Sequence, residues 1–519
     1  MTEAGRSFSQ TEILLTGANG FLGKVILGFF LDRYPEFKRL HILLRPRGEL
    51  SAAARFQSEV LASPPLAAIA GRAGSRFLEE KINVISGDIS APECGLSAND
   101  LERLSGGVGL IINCAGKVDF FPPLDDSFSS NVDGVENVIG VARRCGSKLL
   151  HVSTCFVCGE ADGLIEESEP VSGYYPHRRG AEDQSFDYRE ELRHAREIAR
   201  QIYESDGGDK RRRSRELSQR LIALGRQRAA GWGWVNTYTY SKSLGEQIIA
   251  SVEDLEYAIV RPAIVESSWQ FPFPGWIEGG RTAAPLVLMA LGGQKDWPVW
   301  EDAPLEVVPV DMVAAAILTV AALLLEGRQE QVYQLGSADV NPVDLGSIVR
   351  WLDGEARRRK NGNGSYGRVL IDWLAGARRG ARARFVSEEE AEARRAKREE
   401  DAARLERRVN ALSGIIERVG LPGKHWLQGL GGELRKLGLQ SKFRDQTLGQ
   451  YLPFVLQNRY VFESENIRAA HSSLSEADRR LLPWRPEEID WKDYWIRNQI
   501  GGIEKWVQPE AVRDWTFKI

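Results

Sequence analysis

Thr11-Glu12-Ile13-Leu14-Leu15-Thr16-Gly17-Ala18-Asn19-Gly20-Phe21-Leu22-Gly23 is the stretch whose reading decides the fold. Thr11 to Leu15 reads as a short apolar strand, and the pattern from Lys24 to Arg33 as a helix. Gly17 and Gly20 permit a tight turn and close backbone approach to a pyrophosphate. Gly23 lets the helix pack on the strand, and the helix N-terminus faces the phosphate charge. A glycine triplet alone is weak evidence. Here a strand precedes it and a helix follows, which is the context the motif requires. Thr16, Gly17, Asn19, Gly20, Phe21, Leu22 and Gly23 are therefore candidate dinucleotide-binding residues.

Working outward, His41 to Leu44 reads as the second strand. An NAD site usually places an acidic residue at this strand's end. Here Arg45-Pro46-Arg47 follows, and Arg45 and Arg47 suit a 2′-phosphate, so NADP is favoured. Lys81 to Ser86 is the third strand, ending near Asp88-Ile89, where an adenine fits. Gly109 to Asn113 is the fourth, running into Cys114-Ala115-Gly116, with a helix from Asn131 to Cys145. Leu149 to Ser153 is the fifth. Leu255 to Val260 is the sixth, and Pro262, Ala263 and Ile264 close the cofactor list. Strands alternating with helices imply a parallel sheet covered on both faces, with ligands beyond the carboxyl ends of the strands.

Asn236-Thr237-Tyr238-Thr239-Tyr240-Ser241-Lys242 carries the chemistry. Tyr238 and Lys242 are four residues apart, so a helix puts them on one face; Tyr240 points elsewhere. A lysine charge beside a phenol favours the phenolate. By itself, Tyr-x-x-x-Lys is more often a surface aromatic beside a solvated lysine.

Between Gly159 and Gly231 the alternation is interrupted. Glu182 to Glu204 and Asp209 to Arg228 read as an inserted helical hairpin broken at Ser205-Asp206-Gly207-Gly208, and Lys210 to Arg213 as its solvated face, with attraction for the phosphates of a bulky substrate as the alternative. Phe271 to Gly279 is too rich in proline and aromatics for a regular element and is expected to line a pocket. Leu305 to Val310 reads as a strand, Asp311 to Leu325 as a helix and Val332 to Leu335 as a further strand. Ser387 with Glu390 resembles a capping box for a charged helix reaching about Asn410. Residues 421–462 suit a pocket for a long apolar chain, a surface touching membrane, or ordinary core. The expected fold is α/β, a Rossmann-type doubly wound parallel sheet with a helical insertion and a mostly α-helical C-terminal substrate domain. Its expected bounds are 1–265 for the NADP-binding domain, with the insertion at 161–230, and 266–519 for the substrate region, with 305–335 packing back near the sheet.

Bulk properties narrow the class. The chain has 519 residues, 43% hydrophobic and 27% charged, as in globular proteins. A net charge of -4 gives no argument for nucleic acid. Five cysteines fit a reducing cytoplasm without a disulfide framework. Cys155 and Cys158 have no second pair nearby in sequence, so no metal site is expected. Met1 to Gln10 is polar, no apolar run is long enough to span a membrane, and the expected location is cytoplasmic.

With these pieces placed, the chain resembles the extended short-chain dehydrogenase/reductases, and within them the fatty acyl-CoA reductases of the male-sterility type. The resemblance rests on the glycine turn through Lys24, His151-Val152-Ser153-Thr154-Cys155, and the Asn236–Lys242 stretch. It continues with Arg261-Pro262-Ala263-Ile264-Val265, Pro274-Gly275-Trp276-Ile277-Glu278-Gly279, and Ile489-Asp490-Trp491 with Tyr494. It implies Thr154, Tyr238 and Lys242 as catalytic residues, with Lys242 holding the nicotinamide ribose and lowering the Tyr238 pKa. Ala263 stands where the resemblance leads one to expect Ser. The implied reaction is NADPH-dependent reduction of a fatty acyl thioester, from CoA or an acyl-carrier protein, through an aldehyde to the alcohol; release of the aldehyde is the alternative. With only Met1 to Gln10 before the first strand, the chain is expected to receive its thioester ready-made. Peripheral membrane contact through 421–462 is a further expectation, and oligomeric state is not readable.

Overall fold

The computed structural model describes residues 1–178, 186–206, 214–280, 282–360, 382–394, 458–507 and scattered positions between 396 and 451. The chain forms two compact units. The first is Met1–Glu278, Glu306–Pro342 and Tyr460–Ile489; the second is Gly279–Leu305, Val343–Arg459 and Asp490–Ile519.

The first unit is built on seven strands: β1 (Glu12–Thr16), β2 (Arg39–Leu44), β3 (Ile82–Ser86), β4 (Val108–Asn113), β5 (Lys148–Val152), β6 (Tyr257–Pro262) and β7 (Val332–Leu335). Their order is β7-β6-β5-β4-β1-β2-β3, and every pairing is parallel. The strands are apolar on both sides because both faces are covered. Leu14, Leu43, Ile111 and Leu149 point into one buried cluster, which holds Val135, Val138, Tyr240 and Leu244. These come from helices α2 (Asp133–Cys145) and α5 (Thr237–Ala250). Against the opposite face lie α1 (Phe21–Arg33) and α6 (Val310–Glu326), which pack on each other and are buried almost all round. The strand order reverses between β1 and β4, where ligands of such sheets bind.

The inserted hairpin is present as α3 (Tyr188–Ser205) and α4 (Arg215–Trp232). α3 starts at Tyr188 rather than Glu182 because the Asp187 side chain accepts from the N–H groups of Arg189 and Glu190. Glu191, 4% exposed, ties the hairpin to α5: it accepts from Tyr240 Oη at 2.5 Å, Trp232 Nε1 at 3.0 Å and Arg228 Nε at 2.8 Å.

Two further expectations shift. The helix expected from Asn131 is interrupted at Val132 (φ −118°, ψ −71°), so Asn131 ends one helix and α2 begins at Asp133. The strand expected over Leu305 to Val310 shortens to Val307–Pro309, because Val310 already opens α6.

The returning segment Tyr460–Ile489 is stapled to the first unit by buried carboxylates. Glu306 accepts from the N–H groups of Phe462, Ser337 and Ala338, at 2.7, 2.8 and 3.2 Å. Burial lifts its carboxyl from 4.5 to about 7, against those hydrogen bonds. The native state therefore holds this proton where the unfolded chain has lost it. The stabilisation from this group is complete below 4.5 and is lost as pH rises through about 7. Glu306→Gln should flatten that part of the unfolding free energy across the same window, measured by denaturant titration; an unchanged slope would contradict it.

In the second unit, helix α7 (Leu345–Lys360) carries Asp353, which pairs with Lys295 Nζ at 2.5 Å. Ser387 Oγ accepts from the Glu390 N–H at 3.1 Å, as the capping pattern requires. Residues 207–213, 361–381 and nearly all of 412–457 lie outside the described residues, and with them the Lys210–Arg213 run, the Asn361–Ser365 turn and most of 421–462. Among the described residues no helix is long and apolar enough to cross a membrane.

Candidate active site

The glycine turn is shaped by contacts that a side chain would destroy. Gly17 has φ +72°, and a Cβ there would lie 2.7 Å from the Cys114 carbonyl carbon. A Cβ on Gly23 would lie 2.2 Å from the Gly17 carbonyl oxygen. The turn thus presses β1 against the end of β4 and α1 against the turn. Gly20 is the N-cap of α1 and supplies no capping side chain, so the first N–H groups of the helix face outward for an anion. These features fit a dinucleotide pyrophosphate. Gly23→Ala should lower dinucleotide affinity by about tenfold or more, since relief of the clash displaces the turn at a cost of about 1–3 kcal/mol; fluorescence titration would measure this.

The other candidate cofactor residues gather at the same strand ends. Thr16 Oγ1 donates to Asn113 Oδ1 at 2.7 Å and accepts from the Ala115 N–H at 3.1 Å. Phe21 packs near Trp276, with ring centroids 6.4 Å apart. Asn19 and Leu22 lie in the turn and the first turn of α1. Arg45 pairs with Asp88 at 3.3 Å, and Arg47 sits in a short turn closed by its N–H to Leu50 O at 3.0 Å. The Ile89 carbonyl accepts from Asn137 at 2.8 Å. Cys114, Ala115 and Gly116 follow β4; a Cβ on Gly116 would lie 3.7 Å from Lys242 Nζ. Pro262 ends β6, the Ala263 N–H donates to Leu335 O at 3.0 Å, and Ile264 opens a short parallel pairing with Val307.

Thr154 and Tyr238 meet. Thr154 follows β5; its Oγ1 donates to Pro262 O at 3.3 Å and is in hydrogen-bond contact with the Tyr238 hydroxyl. Tyr238 lies in the first turn of α5, started by Asn236, whose side chain caps the Thr239 N–H at 2.9 Å. Ser153 stays buried, its Oγ without a hydrogen-bond partner among the described residues.

Lys242 goes elsewhere. Its Nζ donates to Val152 O at 2.6 Å and lies 3.4 Å from His151 Nε2. The expectation that Lys242 lowers the Tyr238 pKa is corrected: burial pushes the phenol up to about 12, and the group opposing that rise is Thr154. The reason is reach. The Val152 carbonyl at the end of β5 takes the ammonium, and Thr154 is the phenol's partner. Cys155 and Cys158 are buried thiols, Cys155 Sγ against Arg261 O at 2.7 Å, and burial raises both. Neither is poised as a nucleophile.

Several supporting residues were not singled out from sequence. Asn131 bridges Lys117 and Ser241, its Oδ1 accepting at 2.9 Å and its Nδ2 donating to Ser241 Oγ at 3.0 Å. Arg55, buried beside Glu59, donates to the Arg45 carbonyl and so shapes the arginine turn. Asp311 accepts from the N–H groups of Trp269, Gln270 and Phe271 at 2.8, 2.8 and 2.9 Å, fixing the start of the proline-rich loop. Phe271 packs on Phe29 of α1 with ring centroids 4.4 Å apart and the rings tilted by 52°, and Glu278 pairs with the nearly buried Lys24 at 2.5 Å. Polar residues at the ends of apolar strands, Asn113 and His151, were the one readable signal; the rest needed the fold.

Residues 15–317 match the family model described as male sterility protein. Fatty acyl-CoA reductase 8 of Arabidopsis thaliana is 31% identical over 95% of this chain and 96% of its own length. The chain belongs to the fatty acyl-CoA reductase family. The family also includes the alcohol-forming fatty acyl-CoA reductase of Simmondsia chinensis, 30% identical over 65% of this chain and 68% of its own. Among solved structures, the terminal R domain of the myxalamid PKS-NRPS pathway superposes with a TM-score of 0.53 over 96% of this chain and 91% of its own, at 18% identity. That likeness concerns the fold alone. As a member of the family, the protein is an oxidoreductase with a nicotinamide-dinucleotide domain.

Proposed function

We propose that this fatty acyl-CoA reductase family member uses NADPH to reduce a long-chain fatty acyl thioester, through an aldehyde, to the fatty alcohol. The observation that carries the reading is the Thr154–Tyr238 hydroxyl pair beyond the carboxyl end of β5, with Lys242 one helical turn further on. The alcohol end point is supported by the alcohol-forming relative of Simmondsia chinensis. Gly17, Gly20 and the start of α1 would hold the pyrophosphate, and Arg45 and Arg47 the 2′-phosphate. When bound, the reduced nicotinamide supplies hydride.

The chain's own part is orientation and proton transfer. Tyr238 donates a hydrogen bond to the substrate carbonyl oxygen as it gains negative charge, and Thr154 donates the second by turning its single hydroxyl hydrogen away from Pro262 O. In the thioester step the oxyanion collapses and expels the thiolate, which takes a proton from water. In the aldehyde step Tyr238 gives its proton to the alkoxide. A phenol raised to about 12 stays protonated at neutral pH, which suits an acid. Lys242, 5% exposed, orders this wall of the site.

In this reading the region to residue 265, with 305–335 packed back on its sheet, serves the cofactor and the rest of 266–519 the acyl chain, delivered on CoA or a carrier protein. We place the protein in the cytoplasm, with 421–462 making any membrane contact; failure to sediment with liposomes at low salt would remove that contact. With palmitoyl-CoA, two NADPH should be consumed per thioester and hexadecanol should form, read by absorbance and gas chromatography. Accumulated aldehyde, or no NADPH oxidation, would overturn the proposal. Replacing Arg45 and Arg47 with Ala should weaken NADPH about 10–100-fold and NADH little, as loss of charge-assisted hydrogen bonds implies. Equal losses for both would remove the 2′-phosphate assignment.

A further inference from the structure

Helix α4 carries four arginines, Arg215, Arg220, Arg226 and Arg228, against one carboxylate, Glu216. Much of the hairpin's charge is neutralised locally. Arg196 pairs with Asp133 at 2.5 Å, Arg200 with Glu197 at 2.7 Å, and Arg228 with the buried Glu191. Arg226 differs: among the described residues it has no acidic partner. It is exposed, and its guanidinium lies over the Phe121 ring, 4.9 Å from the centroid. An aromatic face attracts the charge and restrains the planar fork, yet leaves the N–H donors along its edge open to a ligand.

Two contacts put this cation beside the catalytic wall. α4 presses on α5 at Gly225, where a Cβ would lie 2.6 Å from Thr237 Oγ1. Arg226 follows Gly225, and Tyr238 follows Thr237. One such contact and two Cα steps of about 3.8 Å keep the Cα atoms of Arg226 and Tyr238 within about 14 Å of each other. The second contact runs through the loop after β4. Phe120, next to Phe121, accepts the Tyr238 N–H on its carbonyl at 3.3 Å and holds its ring 6.5 Å from the phenol ring. Two other charges of this loop are matched: Lys117 pairs with Asp119 at 3.2 Å, and Asp125 accepts from Tyr203 Oη at 2.5 Å.

The chemistry of the substrate fits this separation. A thioester carbonyl held at Tyr238 puts its sulfur at the head of a pantetheine arm. From that sulfur to the phosphate ending the arm is roughly 15 Å when extended, on amide-chain dimensions. CoA and acyl-carrier proteins share this arm and this phosphate. Arginine suits it because the guanidinium fork can donate two parallel hydrogen bonds to phosphate oxygens. We propose that Arg226, set on Phe121, binds the phosphate of the pantetheine arm and so places the thioester at Tyr238, a substrate contact that rests on the acyl-thioester reading.

Isothermal titration of the full chain, with NADP+ saturating the dinucleotide site, compares pantetheine with 4′-phosphopantetheine. The phosphate should tighten binding about tenfold, as one charge-assisted pair implies. Arg226→Met keeps an unbranched stem on Phe121 and removes the charge. It should erase that advantage without changing the melting temperature. No advantage in the native protein, or one that survives in Arg226→Met, overturns the proposal. Turnover then identifies the source of the phosphate. KM of the variant should rise about tenfold for palmitoyl-CoA if CoA is the donor, or for the palmitoyl-carrier protein if that is. The loss should be absent with hexadecanal, which carries no arm. In an active enzyme, a rise for neither thioester, or an equal loss on hexadecanal, overturns the proposal. A phosphate advantage that Arg226→Met erases in a protein inactive on both thioesters would keep the anion site and remove only the substrate reading.

Discussion

Tyr238→Phe should reduce turnover of an acyl thioester by about 10²–10⁴-fold, the range for loss of a positioned general acid. The substitution removes one oxygen. Thr154 keeps its bond to Pro262 O, and the Asn236 cap that starts α5 is untouched. The fold and cofactor affinity should therefore survive, and the loss should fall on kcat rather than on the melting temperature. The aldehyde should suffer as well as the thioester, because it too needs a proton at oxygen. Supplying the aldehyde to the variant tests this directly: near-normal reduction would assign the proton to another group. Thr154→Val should cost about 10²–10³-fold by removing one oxyanion donor, and the double variant less than the product of the two, since the hydroxyls act together.

Arg261→Met should destabilise the protein by about 3–5 kcal/mol, as expected when one member of a buried ion pair is removed. Arg261 on β6 and Glu246 on α5 meet through Nε at 3.0 Å and Nη2 at 2.6 Å, with side chains 8% and 2% exposed. Without Arg261 the Glu246 carboxylate is buried and unpaired, one helical turn from Lys242. The remedy distinguishes the pair from its packing. Adding Glu246→Leu should restore most of the loss, because two apolar side chains tolerate burial that a lone charge does not. Urea titrations of the two variants would show it. A double variant as unstable as Arg261→Met would mean that shape, not charge, carries the effect.

These two predictions differ in how far they could be read from the chain alone. Tyr238 and Lys242 were visible because helix periodicity places residues four apart on one face, a rule that needs no neighbours. The glycine turn was visible because close approach excludes a Cβ. Arg261 was quoted as part of a motif, yet its partner Glu246 was not, since the pairing joins a strand to a helix. Glu191 was equally silent: it reads as one more charge on an amphipathic helix, and only the packing of α3 on α5 shows it accepting from Tyr240 and Trp232. Asn131 was expected inside a helix, and it is the break at Val132 that leaves its side chain to bridge Lys117 and Ser241.

The amino-acid sequence by itself determined the parallel α/β sheet, the dinucleotide turn, the family and the identity of the Tyr-x-x-x-Lys pair. The sheet, the turn and the pair rest on local sterics or on the period of a helix or strand, which act within a few residues; the family rests on the resemblance of its motifs. The tertiary structure alone decided what those side chains touch. It put Thr154 against Tyr238, sent Lys242 to Val152 O and His151, and enclosed the phenol so that its pKa rises instead of falling. Hydrogen-bond partners and burial depend on strand ends far apart in the chain arriving together, and no local pattern encodes that distance.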